Sequence, residues 1–306
     1  MALVKANGIE IEVEEFGKKS DPAVLLIMGL SAQLTLWPMA FIDALVERGF
    51  RVIRFDNRDI GLSQKMHEAR ALSPFFFIAA ARLFGAQRLA PYTLHDMAAD
   101  SVGVLDALDV DSAHVVGASM GGMIGQLLAA SYPKRVRSFT AIMSSTNNPA
   151  LPKADPAVLK ALFAKRPPTK SRDEIIDRSV EAWGVIGTKD GGNDPAAFRQ
   201  RIAAAVDRCT YPAGVRRQVA AIVATGDLRR YTRTISTPTL VIHGSADKLA
   251  PNAGGRDIAA SIEGSKLEII DGMGHDLPPK HLPQITELIA DHLKSAEEKA
   301  RKSRAA

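Results

Sequence analysis

The chain has 306 residues, 46% of them hydrophobic, enough to bury a large core and to exclude a disordered chain. Its net charge of +5 comes from 39 basic and 34 acidic residues interspersed over most of the length, so no nucleic-acid surface is expected. Cys209 is the single cysteine, which excludes an internal disulfide and a cysteine-based zinc site and fits a reducing cytoplasm. Met1 to Gly8 offer no basic segment followed by a long apolar one, so no signal peptide is expected. The longest apolar run, Phe75 to Ala81, stops at Arg82 and is too short to span a bilayer.

Asn7-Gly8, between Leu3-Val4-Lys5 and the alternating Ile9 to Glu14, predicts a hairpin with one face in water. Ala23 to Met28 is continuously apolar and ends at Gly29, the pattern of a strand buried on both faces of a parallel sheet. The pattern returns at Val52 to Phe55, Ala113 to Val116, Val136 to Met143, Thr239 to Ile242 and Leu267 to Ile270. Helical runs separate most of these strands: Met39 to Arg48, Leu94 to Leu108, Met120 to Ser131, Gly255 to Ile262 and Leu282 to Ser295. This alternation predicts an α/β fold with a doubly wound, mostly parallel sheet and a site at the carboxyl ends of its strands.

Between Ser144 and Thr237 the alternation stops, and prolines separate helical runs at Pro156 to Ala164, Arg172 to Trp183, Pro195 to Asp207 and Ala213 to Thr225. The expected organisation is a core of residues 1–145 and 236–306 with a helical cap at 146–235. A smaller apolar insertion at 65–90 reads as a helix tucked against the cap, with a flap, a dimer contact or a docking surface as alternatives. The charged run Glu297 to Arg304 reads as a frayed, solvated tail.

Gly117-Ala118-Ser119-Met120-Gly121 places a serine between two glycines where a strand run meets a helical run, the context of a nucleophile elbow. Side chains at 117 and 121 would collide with the adjoining helix and strand, a need that glycine meets. Serine is a poor nucleophile at neutral pH and needs a base, itself oriented by a third group. His275 is the expected base, because it follows a strand in the glycine-rich loop Asp271-Gly272-Met273-Gly274-His275-Asp276. His114 and His243 read as core histidines, and His67, His95, His281 and His292 as surface ones. Asp247, in the equivalent loop one strand earlier, is the expected orienting carboxylate; Asp271 and Asp276 compete but flank His275 too closely to reach its Nδ1. The expected oxyanion donors are the backbone amides of Met120 and of Leu30, with Ser31 one residue away.

With these residues, the chain resembles the α/β-hydrolase superfamily over essentially its whole length. Asp56-Asn57-Arg58-Asp59-Ile60-Gly61-Leu62-Ser63 is similar to that family's Asp-x-Arg-x-x-Gly-x-Ser loop after the fourth strand. The loop of Asp247 after the penultimate strand and the late Gly274-His275 also match. Met28-Gly29-Leu30-Ser31 departs from the His-Gly that many members carry there. Together with Trp37-Pro38 and Gly272 to His275, it resembles the serine carboxylesterase-like branch containing aclacinomycin methylesterase. The resemblance implies a cap over the catalytic edge, and the abundance of carboxylesterases among such proteins favours a serine hydrolase that cleaves small-molecule carboxylic esters through an acyl-enzyme; the residues offer no pattern for a metal or a nucleotide cofactor, and a monomer or a homodimer stays open. Trp37 and Trp183 are candidate substrate contacts, with core packing as the alternative for each. Serine at 119 argues against haloalkane dehalogenases and epoxide hydrolases, which carry an aspartate there. A carbon-carbon bond hydrolase, a lactonase or a perhydrolase can carry the same triad; Arg58 is a candidate for holding the acidic substrate of the first, with bracing of the loop after the fourth strand as the favoured alternative. A non-catalytic ligand-binding protein on this scaffold also stays open.

Overall fold

β1 (Ala2–Ala6) and β2 (Ile9–Phe16) form the expected antiparallel hairpin, with Ala6 opposite Ile9. The two turn residues, Asn7 at φ 49° and Gly8 at φ 80°, are both left-handed, which matches the twist of the strands they join. The structure, a computed structural model, describes residues 2–67, 90–163 and 171–305. The expected water-facing side of β2 is corrected: Glu12 and Glu14 are buried along with Ile9, Ile11 and Val13. Glu14 accepts from Arg54 Nε at 2.7 Å, and the Ser63 hydroxyl accepts from the Glu12 amide at 2.9 Å, so the polar face is covered by the next strand and the loop after it. Alternation marks which side chains are apolar and leaves open what lies over the others.

β3 (Ala23–Ile27), β4 (Arg51–Phe55), β5 (Ala113–Ala118), β6 (Val136–Ile142), β7 (Thr239–Gly244) and β8 (Lys266–Ile270) complete an eight-stranded sheet. Its order is β1-β2-β4-β3-β5-β6-β7-β8, parallel from β4 to β8. The helices among the described residues are α1 (Met39–Glu47), α2 (Leu94–Ala107), α3 (Met120–Ser131), α4 (Pro156–Phe163) and α5 (Arg172–Ile186). They continue with α6 (Pro195–Arg208), α7 (Pro212–Thr225), α8 (Arg229–Thr232), α9 (Ala253–Ser261) and α10 (Leu282–Ala305). None is long and apolar enough to cross a membrane.

β3 is buried at every residue because both faces are covered. Leu25 and Ile27 pack with Val104 of α2 and Ile124 of α3, while Val24 and Leu26 pack with Phe41 of α1 and Ile289 of α10. Burying each such side chain contributes roughly 1.5–3 kcal/mol, so the strand anchors the sheet. The chain leaves β3 to one side for β4 and returns on the other for β5. That reversal opens a crevice at the carboxyl ends of β3 and β5, where α/β sheets place ligands.

Five helices, α4 to α8, fall between β6 and β7, four of them within a few residues of their expected bounds. Pro195 and Pro212 sit at first helical positions, and Asp194 caps α6 by accepting from the amides of Ala196 and Ala197. The apolar insertion expected at 65–90, with its run Phe75 to Ala81, falls almost wholly outside the described residues.

The carboxyl end differs from the expected frayed tail. α10 runs on to Ala305, and Glu297 pairs with Arg137 at 2.9 Å and lies 3.1 Å from His114 Nε2. These two partners hold its carboxyl down at about 2. His281 and His292 are buried where surface positions were expected. Burial pushes the His292 imidazolium down to about 4 and lowers that of His114 as well. An unfolded histidine takes its proton near 6.5, so below that pH the unfolded chain binds protons that folded His292 refuses. Stability contributed by neutral His292 is therefore full above about pH 6.5 and lost as pH falls toward 4, by about 3 kcal/mol. Thermal unfolding from pH 7 to 4 is expected to show this slope, flattened in His292→Gln; equal slopes would dismiss the assignment.

Candidate active site

Ser119 stands between the last residue of β5 and the first of α3, at φ 55° and ψ −119°. A non-glycine residue is rarely found there, and its backbone is pinned on both sides. Its amide donates to Ile142 O at 2.9 Å, and its carbonyl accepts from Gly122 N at 2.9 Å and Ser144 Oγ at 2.8 Å. A Cβ on Gly117 would lie 2.2 Å from Gly121 O, and one on Gly121 would lie 2.0 Å from Ile27 O. Both glycines are thus required by backbone close approach, as the spacing predicts.

The loops after β7 and β8 bring Asp247 and His275 to the same edge. His275 Nε2 lies 3.0 Å from Ser119 Oγ, and His275 Nδ1 lies 2.7 Å from Asp247 Oδ2. Asp247 Oδ1 accepts from the amides of Leu249 at 3.0 Å and Ala250 at 2.8 Å. Burial pushes the Asp247 carboxyl up, but His275, His243 and the Ala250 amide outweigh it and hold the group well below the usual carboxylate range. It is therefore a carboxylate at neutral pH, able to keep the His275 proton on Nδ1 and leave Nε2 as an acceptor for the serine hydroxyl.

The two competing carboxylates are occupied elsewhere. Asp271 accepts from Ser245 Oγ at 2.8 Å, and Asp276 accepts from Thr188 Oγ1 at 2.6 Å and Thr188 N at 2.9 Å. Thr188 also accepts from Gly274 N at 2.8 Å, and Ile186 O accepts from His275 N at 2.8 Å. The end of α5 thus grips the histidine loop directly, a contact that no local pattern in the chain announces. His243, a core histidine as expected, donates from Nε2 to Ala250 O at 2.7 Å and so supports the loop of Asp247.

The turn after β3 approaches the serine closely: a Cβ on Gly29 would lie 3.0 Å from Ser119 Cβ and 3.2 Å from Ala118 O. Ala32 N donates to Gly29 O at 3.3 Å, closing a four-residue turn with Ser31 at φ 63°. Asn57 Nδ2 donates to Met28 O at 2.9 Å and Asp56 Oδ1 accepts from Leu34 N at 2.8 Å, so the loop after β4 braces this turn. The Ser31 amide is taken by Gln218 Oε1 at 3.0 Å. No acceptor among the described residues takes the amides of Leu30 or Met120, the second of which opens α3.

Three expectations are corrected or narrowed. Trp37 is 1% exposed, stacks on Phe41 at 5.7 Å and packs with Val24, Leu26 and Met28, so it is a core residue rather than a pocket wall. Arg58 is committed to Asp100 through bonds of 2.6 and 2.5 Å and lies over the Tyr92 ring, leaving its charge no role toward an acidic substrate. Trp183 lies half-buried on α5, one turn before the Ile186 contact to His275. Among the described residues, no three His, Cys, Asp or Glu side chains gather as a metal-holding group.

Rhodomycin D methylesterase DnrP of Streptomyces peucetius is 29% identical over 312 residues, covering 96% of this chain and 98% of the relative. An enol-lactonase from Burkholderia xenovorans LB400 superposes with a TM-score of 0.72 at 24% identity, over 96% of this chain and 100% of that one. The meta-cleavage product hydrolase CumD from Pseudomonas fluorescens IP01 superposes with a TM-score of 0.76 at 18% identity, over 97% and 98%. Residues 22–282 match the alpha/beta hydrolase fold family, and the chain belongs to it.

Proposed function

We propose that this hydrolase, an enzyme of the esterase type, cleaves carboxylic esters through an acyl-enzyme on Ser119, with His275 as general base and acid and Asp247 as its orienting carboxylate. The observation that carries this reading is the unbroken chain Ser119 Oγ, His275 Nε2, His275 Nδ1, Asp247 Oδ2, with links of 3.0 and 2.7 Å assembled from three separate strand ends. His275 takes the Ser119 proton as Oγ attacks the carbonyl carbon. The amides of Leu30 and Met120 receive the oxyanion, the latter helped by the amino end of α3. The imidazolium then protonates the departing alcohol. In the second half, His275 takes a proton from water as its oxygen attacks the acyl carbon, and returns that proton to Ser119 Oγ as the Oγ–acyl bond breaks and the acid leaves. Residues 146–235 act as a cap that sets the substrate, with Trp183 as an apolar wall. The kinship to a methylesterase supports an ester of a small alcohol.

The test is labelling with a fluorophosphonate, followed by a panel of methyl and aryl esters, lactones and a vinylogous diketone. A single label on Ser119 and saturable ester hydrolysis are expected. Absence of the label, or diketone cleavage with every ester untouched, would overturn the reading.

A further inference from the structure

Helix α7 presents Gly214, Arg217 and Gln218 on one face, at the spacing that aligns residues along a helix. That face is seated without slack. A Cβ on Gly214 would lie 2.2 Å from Asp59 O, and Arg217 bonds the Asp59 carboxylate from Nε at 2.8 Å and Nη2 at 2.7 Å. Gln218 is fully buried, and both ends of its amide are used: Oε1 accepts from Ser31 N at 3.0 Å and Nε2 donates to Arg58 O at 3.1 Å. Only one orientation satisfies both, since a backbone N–H cannot accept and a carbonyl cannot donate.

Ser31 is the third residue of the turn closed by Gly29 and Ala32, at φ 63°. Turns with a left-handed third residue favour glycine there, and rotation of the central peptide interconverts them with the commoner form. In this chain that peptide joins Leu30 to Ser31. Rotating it would withdraw the Ser31 N–H from Gln218 and turn the Leu30 carbonyl toward Gln218 Oε1, oxygen against oxygen. The Leu30 N–H lies in the preceding Gly29–Leu30 peptide, so a central peptide free to rotate releases the Ser31 N–H as a second, competing donor beside it and loosens the fixed geometry that an oxyanion site needs.

We propose that Gln218 is a positioning residue for hydrolysis, which locks the Gly29–Ala32 turn through the Ser31 amide and thereby selects Leu30, rather than Ser31, as the oxyanion donor. The proposal rests on the reading of Ser119 as the nucleophile. It makes the inserted helix α7 part of the catalytic apparatus as well as part of the substrate cover.

The test is a cycle of Gln218→Ala and Ser31→Gly, read by the rate of Ser119 phosphonylation with a fluorophosphonate and by kcat and KM on an ester. Phosphonylation needs the oxyanion site whatever the natural substrate is. Gln218→Ala is expected to lower the labelling rate and kcat about tenfold to a hundredfold, with KM within about twofold. Adding Ser31→Gly, which adopts the turn without assistance, is expected to restore most of the loss. A folded Gln218→Ala protein with native rates overturns the proposal. So does a slow one that Ser31→Gly leaves unimproved, since that places the effect in general packing of the cap. Should Gln218→Ala fail to fold, Gln218→Met keeps the volume without the acceptor and carries the same readout. A native chain that is not labelled at all removes the Ser119 reading and this proposal with it, an outcome distinct from labelling that is insensitive to Gln218.

Discussion

Ser119→Ala is expected to lower kcat for ester hydrolysis roughly 10⁴- to 10⁶-fold, because no other hydroxyl is hydrogen-bonded to His275 Nε2 among the described residues. Ser119→Gly is expected to be as inactive and yet more stable than the alanine variant. At φ 55° and ψ −119° a side chain is strained, and alanine keeps that strain whereas glycine relieves it. Strain of this kind costs about 1–3 kcal/mol, part of which is offset by glycine's greater freedom in the unfolded chain, leaving about 1 kcal/mol in favour of Ser119→Gly. Since both variants lack the hydroxyl, their difference in thermal unfolding reads the backbone alone. A glycine variant less stable than the alanine one would mean that the elbow is not strained. The sharp turn that carries Ser119 is thus a turn that the fold stabilises by other contacts.

The elbow, the loop of Asp247 and the loop of His275 are legible in the chain because each is local. A buried strand, a few small residues and a polar side chain lie within about ten positions, and the sheet does the rest by aligning the strand ends. Gln218 is not legible in this way: its partner Ser31 lies 187 residues away, and nothing in α7 distinguishes an amide that bonds the Gly29–Ala32 turn from one that meets water. The grip of Thr188 on Asp276, 88 residues apart, is hidden in the sequence for the same reason. For Trp37 the sequence leaves a substrate contact and core packing both open, since an aromatic ring suits either. The start of α1 carries the ring onto Phe41 and into the core. Glu12, Glu14, His281 and His292 show the complementary limit, since polarity in a sequence predicts exposure only where nothing packs over the residue.

Asp247→Asn is the sharpest probe of the histidine's tautomer. Asp247 Oδ1 receives two backbone amides, from Leu249 and Ala250, and only an oxygen can accept there. In the asparagine variant the carbonyl oxygen must therefore take that place, which puts the NH₂ group where Oδ2 now lies, 2.7 Å from His275 Nδ1. That group donates, so Nδ1 is forced to accept and the ring's proton moves to Nε2, facing Ser119 Oγ at 3.0 Å. An imidazole in that tautomer cannot take the serine proton. The expected result is a fall in kcat of about 10⁴-fold with KM little changed, and a matching fall in the phosphonylation rate of Ser119. Asp247→Ala is expected to be inactive and less stable as well, because it leaves two partly buried amides and an imidazole without their acceptor. If Asp247→Asn kept kcat within about tenfold of native, another carboxylate would have to orient His275. Asp276, now bonded to Thr188, would then be the next residue to replace.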